Sequence, residues 1–81
     1  MIKITYNKGA DAAYIYLKSS ADSLLGWVSK TYLCDPKEIN GMINLDFDAE
    51  GRLWGIEILD ASKKLSKDIL DFSEQNGDSQ N

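Results

Sequence analysis

Histidine is absent from this 81-residue chain, and cysteine and proline occur once each. Without histidine the commonest neutral-pH general base and the commonest zinc ligand are missing, so neither a triad hydrolase nor a zinc enzyme is expected. The lone Cys34 closes no internal disulfide, which fits a reducing cytoplasm. Basic residues are a minority: nine Lys and Arg against 13 Asp and Glu leave a formal charge of −4. That sign is wrong for tracking a phosphate backbone, and no nucleic-acid partner is expected. Long apolar runs are lacking as well. Nothing approaches the roughly 20 residues of a membrane helix. Residues 1–6 also lack a basic stretch followed by an apolar one, so no secretory signal and no membrane partner are expected, and the cytoplasm is the expected compartment.

What is present describes an ordinary globular domain. Hydrophobic residues make up 43% and charged residues 27%, which argues against disorder for most of the chain. A chain this short forms one domain, expected over residues 1–72, with residues 73–81 as a disordered polar tail free of aliphatic and aromatic side chains. No disulfide or metal clip supplements so small a core. Stability then comes from a well-patterned sheet, from a partner protein or from a second copy, with a homodimer slightly favoured over a monomer.

Hydrophobic alternation predicts about five strands. Ile2-Lys3-Ile4-Thr5-Tyr6 is the first, followed by a turn at Asn7-Lys8-Gly9 and a corner at Ala10-Asp11-Ala12, where Asp11 can accept from backbone N–H groups. Residues 13–18 form the second, with Ala13, Ile15 and Leu17 on its inner face and Tyr14 and Tyr16 outside. After a polar loop over residues 19–23, residues 26–34 read as an edge strand with Trp27, Ser29, Thr31 and Leu33 on one face. Residues 35–41, containing Pro36, interrupt the pattern. Residues 41–48 then turn Ile43, Leu45 and Phe47 inward, and Asp48-Ala49-Glu50-Gly51 has the chemistry of a type I turn closed by a left-handed glycine. The strand over residues 52–59 puts Trp54, Ile56 and Ile58 on one face. Gly55, on the other, implies a bulge or a close backbone approach.

From Asp60 the period changes. A helical turn capped by Asp60 is expected, then a helix through Phe72 capped by Ser66, with Leu65 and Leu70 as a hydrophobic staple. The fold class that results is α+β, mostly β: an antiparallel meander with a short C-terminal helix packed on one face.

Two groups of side chains invite a functional reading. Asp46, Asp48 and Glu50, followed by Gly51 and Glu57, nearly reproduce the spacing of a calcium loop, which aims several hard oxygens at one cation. That loop joins two helices, whereas these flanks alternate as strands do. The same residues satisfy ordinary hairpin chemistry, so no metal and no cofactor are expected. A small-ligand or cation-binding domain built on this acidic hairpin is the alternative reading. The second group is aromatic: Tyr14, Tyr16, Trp27 and Trp54 are candidate interaction residues, because Tyr and Trp dominate protein-binding surfaces. The leading expectation is a non-catalytic protein-interaction module. A carboxylate pair drawn from Asp11, Asp46, Asp48 and Glu57 would be the only acid–base machinery, and catalysis is the weaker reading. Lys63, Lys64 and Lys67 read as a solvated basic face.

Two stretches carry a family resemblance. Residues 6–17, YNKGADAAYIYL, look like the opening Y-x-x-x-A-D-A-x-Y-I-x-L of the small bacterial and archaeal proteins grouped as domain-of-unknown-function family 2283. Residues 44–62 look like its L-D-x-D-x-x-G-x-L-x-G-I-E-I-L-x-A-S. The resemblance implies a small, mostly β domain and carries over no catalytic residue. Because some members are encoded beside small toxin-like proteins, it also implies an antitoxin-like role, and an acidic face suits a basic partner.

Overall fold

The computed structural model describes residues 2–17 and 28–76. Among the described residues six strands, β1 (Lys3–Asn7), β2 (Ala12–Tyr16), β3 (Lys30–Leu33), β4 (Ile43–Phe47), β5 (Leu53–Leu59) and β6 (Glu74–Asn76), are joined with three short helices, α1 (Pro36–Ile39), α2 (Ala61–Lys64) and α3 (Lys67–Phe72). All strands belong to one sheet of order β3-β4-β5-β2-β1-β6. The pairings among β1 to β5 are antiparallel, and β6 runs parallel to β1. The fold is the expected mostly-β α+β class. Its strand order departs from a simple meander: β2 pairs with β5, so β3 is carried to the far edge. Residues 28–29 precede β3, and the expected start of that strand at residues 26–27, Trp27 included, lies outside the described residues, as does the loop at 19–23.

The cross-strand register sorts the two faces. Ile4, Tyr6, Ala13, Ile15, Ile58, Ile56, Ile43 and Leu45 are paired in rows across β1, β2, β5 and β4. Tyr6, Ala13, Ile58 and Ala61 form the buried core, with Ile15, Ile43, Ile56, Leu65 and Leu70 packed against it. Leu65 and Leu70 place α2 and α3 on this face. Ser66 caps α3 by accepting from the Ile69 N–H, as the sequence predicts.

Three local expectations are corrected. Residues 35–39, read as a break in the pattern, form α1: Asp35 accepts from the Lys37 N–H, and Pro36 sits where a helix needs no donor. The C-terminus of α1 is closed by Lys64, whose Nζ donates to the carbonyls of Ile39 and Asn40 at 2.6 and 2.5 Å, so Lys64 belongs to a contact and not to an idle basic face. Residues 74–76, read as part of a disordered tail, form β6. Ser73 ends α3 by donating from its hydroxyl to the Leu70 carbonyl, and the chain then returns along β1. Backbone pairing holds β6 without any apolar side chain, so hydrophobic pattern could not reveal it.

Candidate functional site

The face of the sheet opposite α2 and α3 carries the candidate residues. Tyr14 and Tyr16 project from β2, and their rings meet edge-on with centroids 4.5 Å apart. Trp54 completes the group at 6.5 Å from Tyr14 and 6.1 Å from Tyr16. Simple alternation puts Trp54 in the row of Ile56 and Ile58. The register explains the difference: Asp46 pairs with Gly55 and Phe47 with Leu53, leaving Trp54 as the extra residue of a bulge. A bulge re-aims side chains, and here it turns the indole toward the tyrosines. Lys3 lies over the outer side of the Tyr16 ring, 5.9 Å from its centroid.

A chain of side-chain hydrogen bonds crosses the same face. The Tyr14 hydroxyl donates to Asp46 Oδ2 at 2.6 Å, and Thr31 donates to Asp46 Oδ1 at 2.7 Å. β2, β4 and β3 are thereby tied together across β5. Tyr14 can reach because it lies over Gly55: a Cβ at that position would stand 2.6 Å from the Tyr14 ring carbons, closer than real contacts allow. The expected alternatives for Gly55, bulge and close approach, both occur. Burial, and next the Asp46 carboxylate, push the Tyr14 phenol far above its ordinary value, so it stays protonated and acts as a donor. Beside this chain Asn44 donates to Glu57 Oε1 at 2.8 Å.

The acidic hairpin does not gather its oxygens. Asp46 serves Tyr14 and Thr31, and Glu57 serves Asn44. Asp48 is buried in the turn, where Oδ1 accepts from the N–H groups of Glu50 and Arg52, both at 2.9 Å. Glu50 pairs with the Arg52 guanidinium. Among the described residues no three acidic, cysteine or histidine side chains come together as a metal-holding group. The turn itself has the predicted form, with Gly51 at φ 83° and its N–H donating to the Asp48 carbonyl.

A second junction lies at the other end of the sheet, and only half of it is legible in the sequence. Asp11 occupies a left-handed conformation after β1. Its Oδ1 accepts from the Tyr6 hydroxyl at 2.7 Å and from the Ser62 N–H at 2.9 Å, while Oδ2 accepts from the Ser62 hydroxyl at 2.7 Å. Its own carbonyl accepts from the Ala61 N–H at 2.9 Å. Asp11 thus caps α2 from 51 residues away, and Asp60, the expected cap, makes no side-chain cap bond. The Tyr6 hydroxyl, followed by the two Ser62 donors, holds the Asp11 carboxyl below the usual carboxylate range. That Asp11 accepts backbone N–H groups was expected. That the donor is Ser62 follows from no local pattern.

These contacts define a class: a small sheet domain whose most distinctive polar residues lock its own strands and helix together. The family model described as protein of unknown function (DUF2283) matches residues 3–62, and the chain belongs to that family. The matched span ends at Ser62, the partner of Asp11. No curated protein and no solved structure matches the chain. The motif residues Asp11, Tyr14, Asp46, Asp48, Gly51, Gly55 and Ser62 all have structural occupations, and Tyr16 and Trp54 pack with Tyr14 as one group of three rings.

Proposed function

We propose that the chain is a non-catalytic protein-interaction module that receives a basic partner protein on the face bearing Tyr14, Tyr16 and Trp54. The observation that carries this reading is the half-buried three-ring cluster flanked by Asp46 and Glu57. Tyr14 is fixed from below by Asp46, so Tyr16 and Trp54 are presented on a stiff support, and stiff aromatic anchors bind at low entropic cost. The formal charge of −4 favours encounter with a basic surface. An antitoxin-like role in the cytoplasm is the specific form of this reading, with a basic toxin-like protein as partner. No helix among the described residues is long and apolar enough to cross a membrane.

The test is capture of partners from the native cell with the full chain and with a Tyr16→Ala, Trp54→Ala double variant as bait. A basic protein held by the parent chain, released by salt and lost from the variant, is the expected outcome. Equal capture by both baits, or none at several salt concentrations, would end the proposal.

A further inference from the structure

The strand register shows how charge is laid out around the rings. Tyr16 stands in a row between Lys3 and Gly55, with Asp46 next beyond. The neighbouring row carries Glu57, Tyr14 and Glu74. Across these two rows three carboxylates face one basic residue, Lys3. The Lys3 Nζ lies 5.9 Å from the Tyr16 ring centroid and 3.7 Å from Glu74 Oε1. Both side chains of that ion pair are more than half exposed, so solvent screening leaves the contact loose.

The chemistry of the ring explains why an ammonium rests there. The face of an aromatic ring carries negative charge density and attracts a cation within about 6 Å. The carboxylates add to that attraction. After burial and the bond to Asp46, the charges of nearby groups, Asp46 foremost and Glu57 among them, push the Tyr14 phenol further up. The face thus resists added negative charge and favours positive charge. Lysine is the weaker of the two cations for such a place. Its ammonium is compact and strongly hydrated, whereas a guanidinium is planar, less hydrated and stacks on aromatic faces. An arginine arriving over Tyr16 gives up less hydration than Lys3 regains on leaving. A displaced Lys3 keeps Glu74 within reach, so its charge is not stranded.

We propose that the Tyr16 ring face is a cation site which Lys3 holds in the free chain and yields to an arginine side chain of the basic partner. Lys3 is then a built-in competitor: it covers the ring until a better cation arrives, and removing it strengthens binding. This inference rests on the partner reading of the same face and names the group that anchors there.

The probe is a fluorescein-labelled tetra-arginine peptide, its binding to the full chain read by anisotropy at physiological salt. Saturable binding is expected for the parent chain and its loss for the Tyr16→Ala, Trp54→Ala double variant. Lys3→Met should bind the peptide about two- to fivefold tighter, the size of one exposed cation–π contact no longer competed for. Lys8→Met removes the same unit charge from an exposed turn beyond Asn7. Asn7 is already roughly 13 Å from Lys3 by strand rise, more than the Debye length of about 8 Å, so this control should change little. By NMR the Lys3 methylene resonances, shifted by the Tyr16 ring, should move toward their unstructured values as the peptide saturates. If the double variant fails to fold, the two lysine variants and these resonances decide. No binding at millimolar peptide, equal binding by parent and folded double variant, equal effects of Lys3→Met and Lys8→Met, or Lys3 resonances that stay put overturns the cation site. The partner reading keeps its own test, since a partner captured through the rings without displacing Lys3 would sink this inference alone.

Discussion

The two faces of this sheet are held by different physics. The face beneath α2 and α3 is joined by aliphatic burial, centred on Ala13, Ile58 and Ala61. The opposite face is joined by directed bonds, Tyr14 to Asp46 to Thr31, passing over a glycine. Burial is non-directional and tolerates exchange of one aliphatic residue for another of similar volume. The directed face depends on named partners at fixed reach, and a single misplaced methyl interrupts it. These directed bonds fix where the Tyr14 ring stands beside Tyr16 and Trp54.

Substitutions can separate these two modes. The largest effect is expected on the buried face: Ile58→Ala should cost about 2–5 kcal/mol, the usual range for emptying an aliphatic core site, read from urea midpoints. Ile58→Leu should cost far less. On the directed face Gly55→Ala should cost about 1–3 kcal/mol, because the new methyl displaces the Tyr14 ring. Combining it with Tyr14→Ala should recover part of that loss; strict additivity would refute the proposed contact. Tyr14→Phe keeps the ring and removes the donor, for an expected cost of about 0.5–1.5 kcal/mol. A cycle with Asp46→Asn should show coupling of the two changes.

The smallest effect concerns pH. Asp11 has a lowered folded-state pKa, so its contribution is complete above the unfolded value and fades as pH falls through the folded one. Melting temperature should therefore drop on acidification below about pH 4, and Asp11→Asn should flatten part of that slope. Because the carboxylate is not deeply buried, solvent screening keeps the amplitude small. An unchanged slope in the variant would remove Asp11 from the acid response.

Much of this architecture is written in short-range pattern. Alternation over residues 43–47 and 53–59, the Asp48 to Gly51 turn and the Ser66 cap each depend on residues within a few positions of one another, where spacing alone dictates geometry. Asp35-Pro36 also carries a helix start, a capping carboxylate followed by proline in the first turn, although the same proline ends a strand pattern. The candidate surface was legible in part. Tyr14 and Tyr16 fall on the outer face by alternation. Trp54 joins them only through a bulge that the pattern at Gly55 permits but does not locate.

By itself the sequence determined the mostly-β class, the turns, the aliphatic face and the excess of acid over base. These follow from local periodicity and composition, which do not depend on how distant segments meet. Tertiary structure decided the rest: β2 beside β5, β6 beside β1, Asp11 capping a helix at Ser62, and Tyr14 reaching Asp46 over Gly55. Each of these joins residues far apart in the chain, and their partnership exists only once strand order has brought them within a few ångströms.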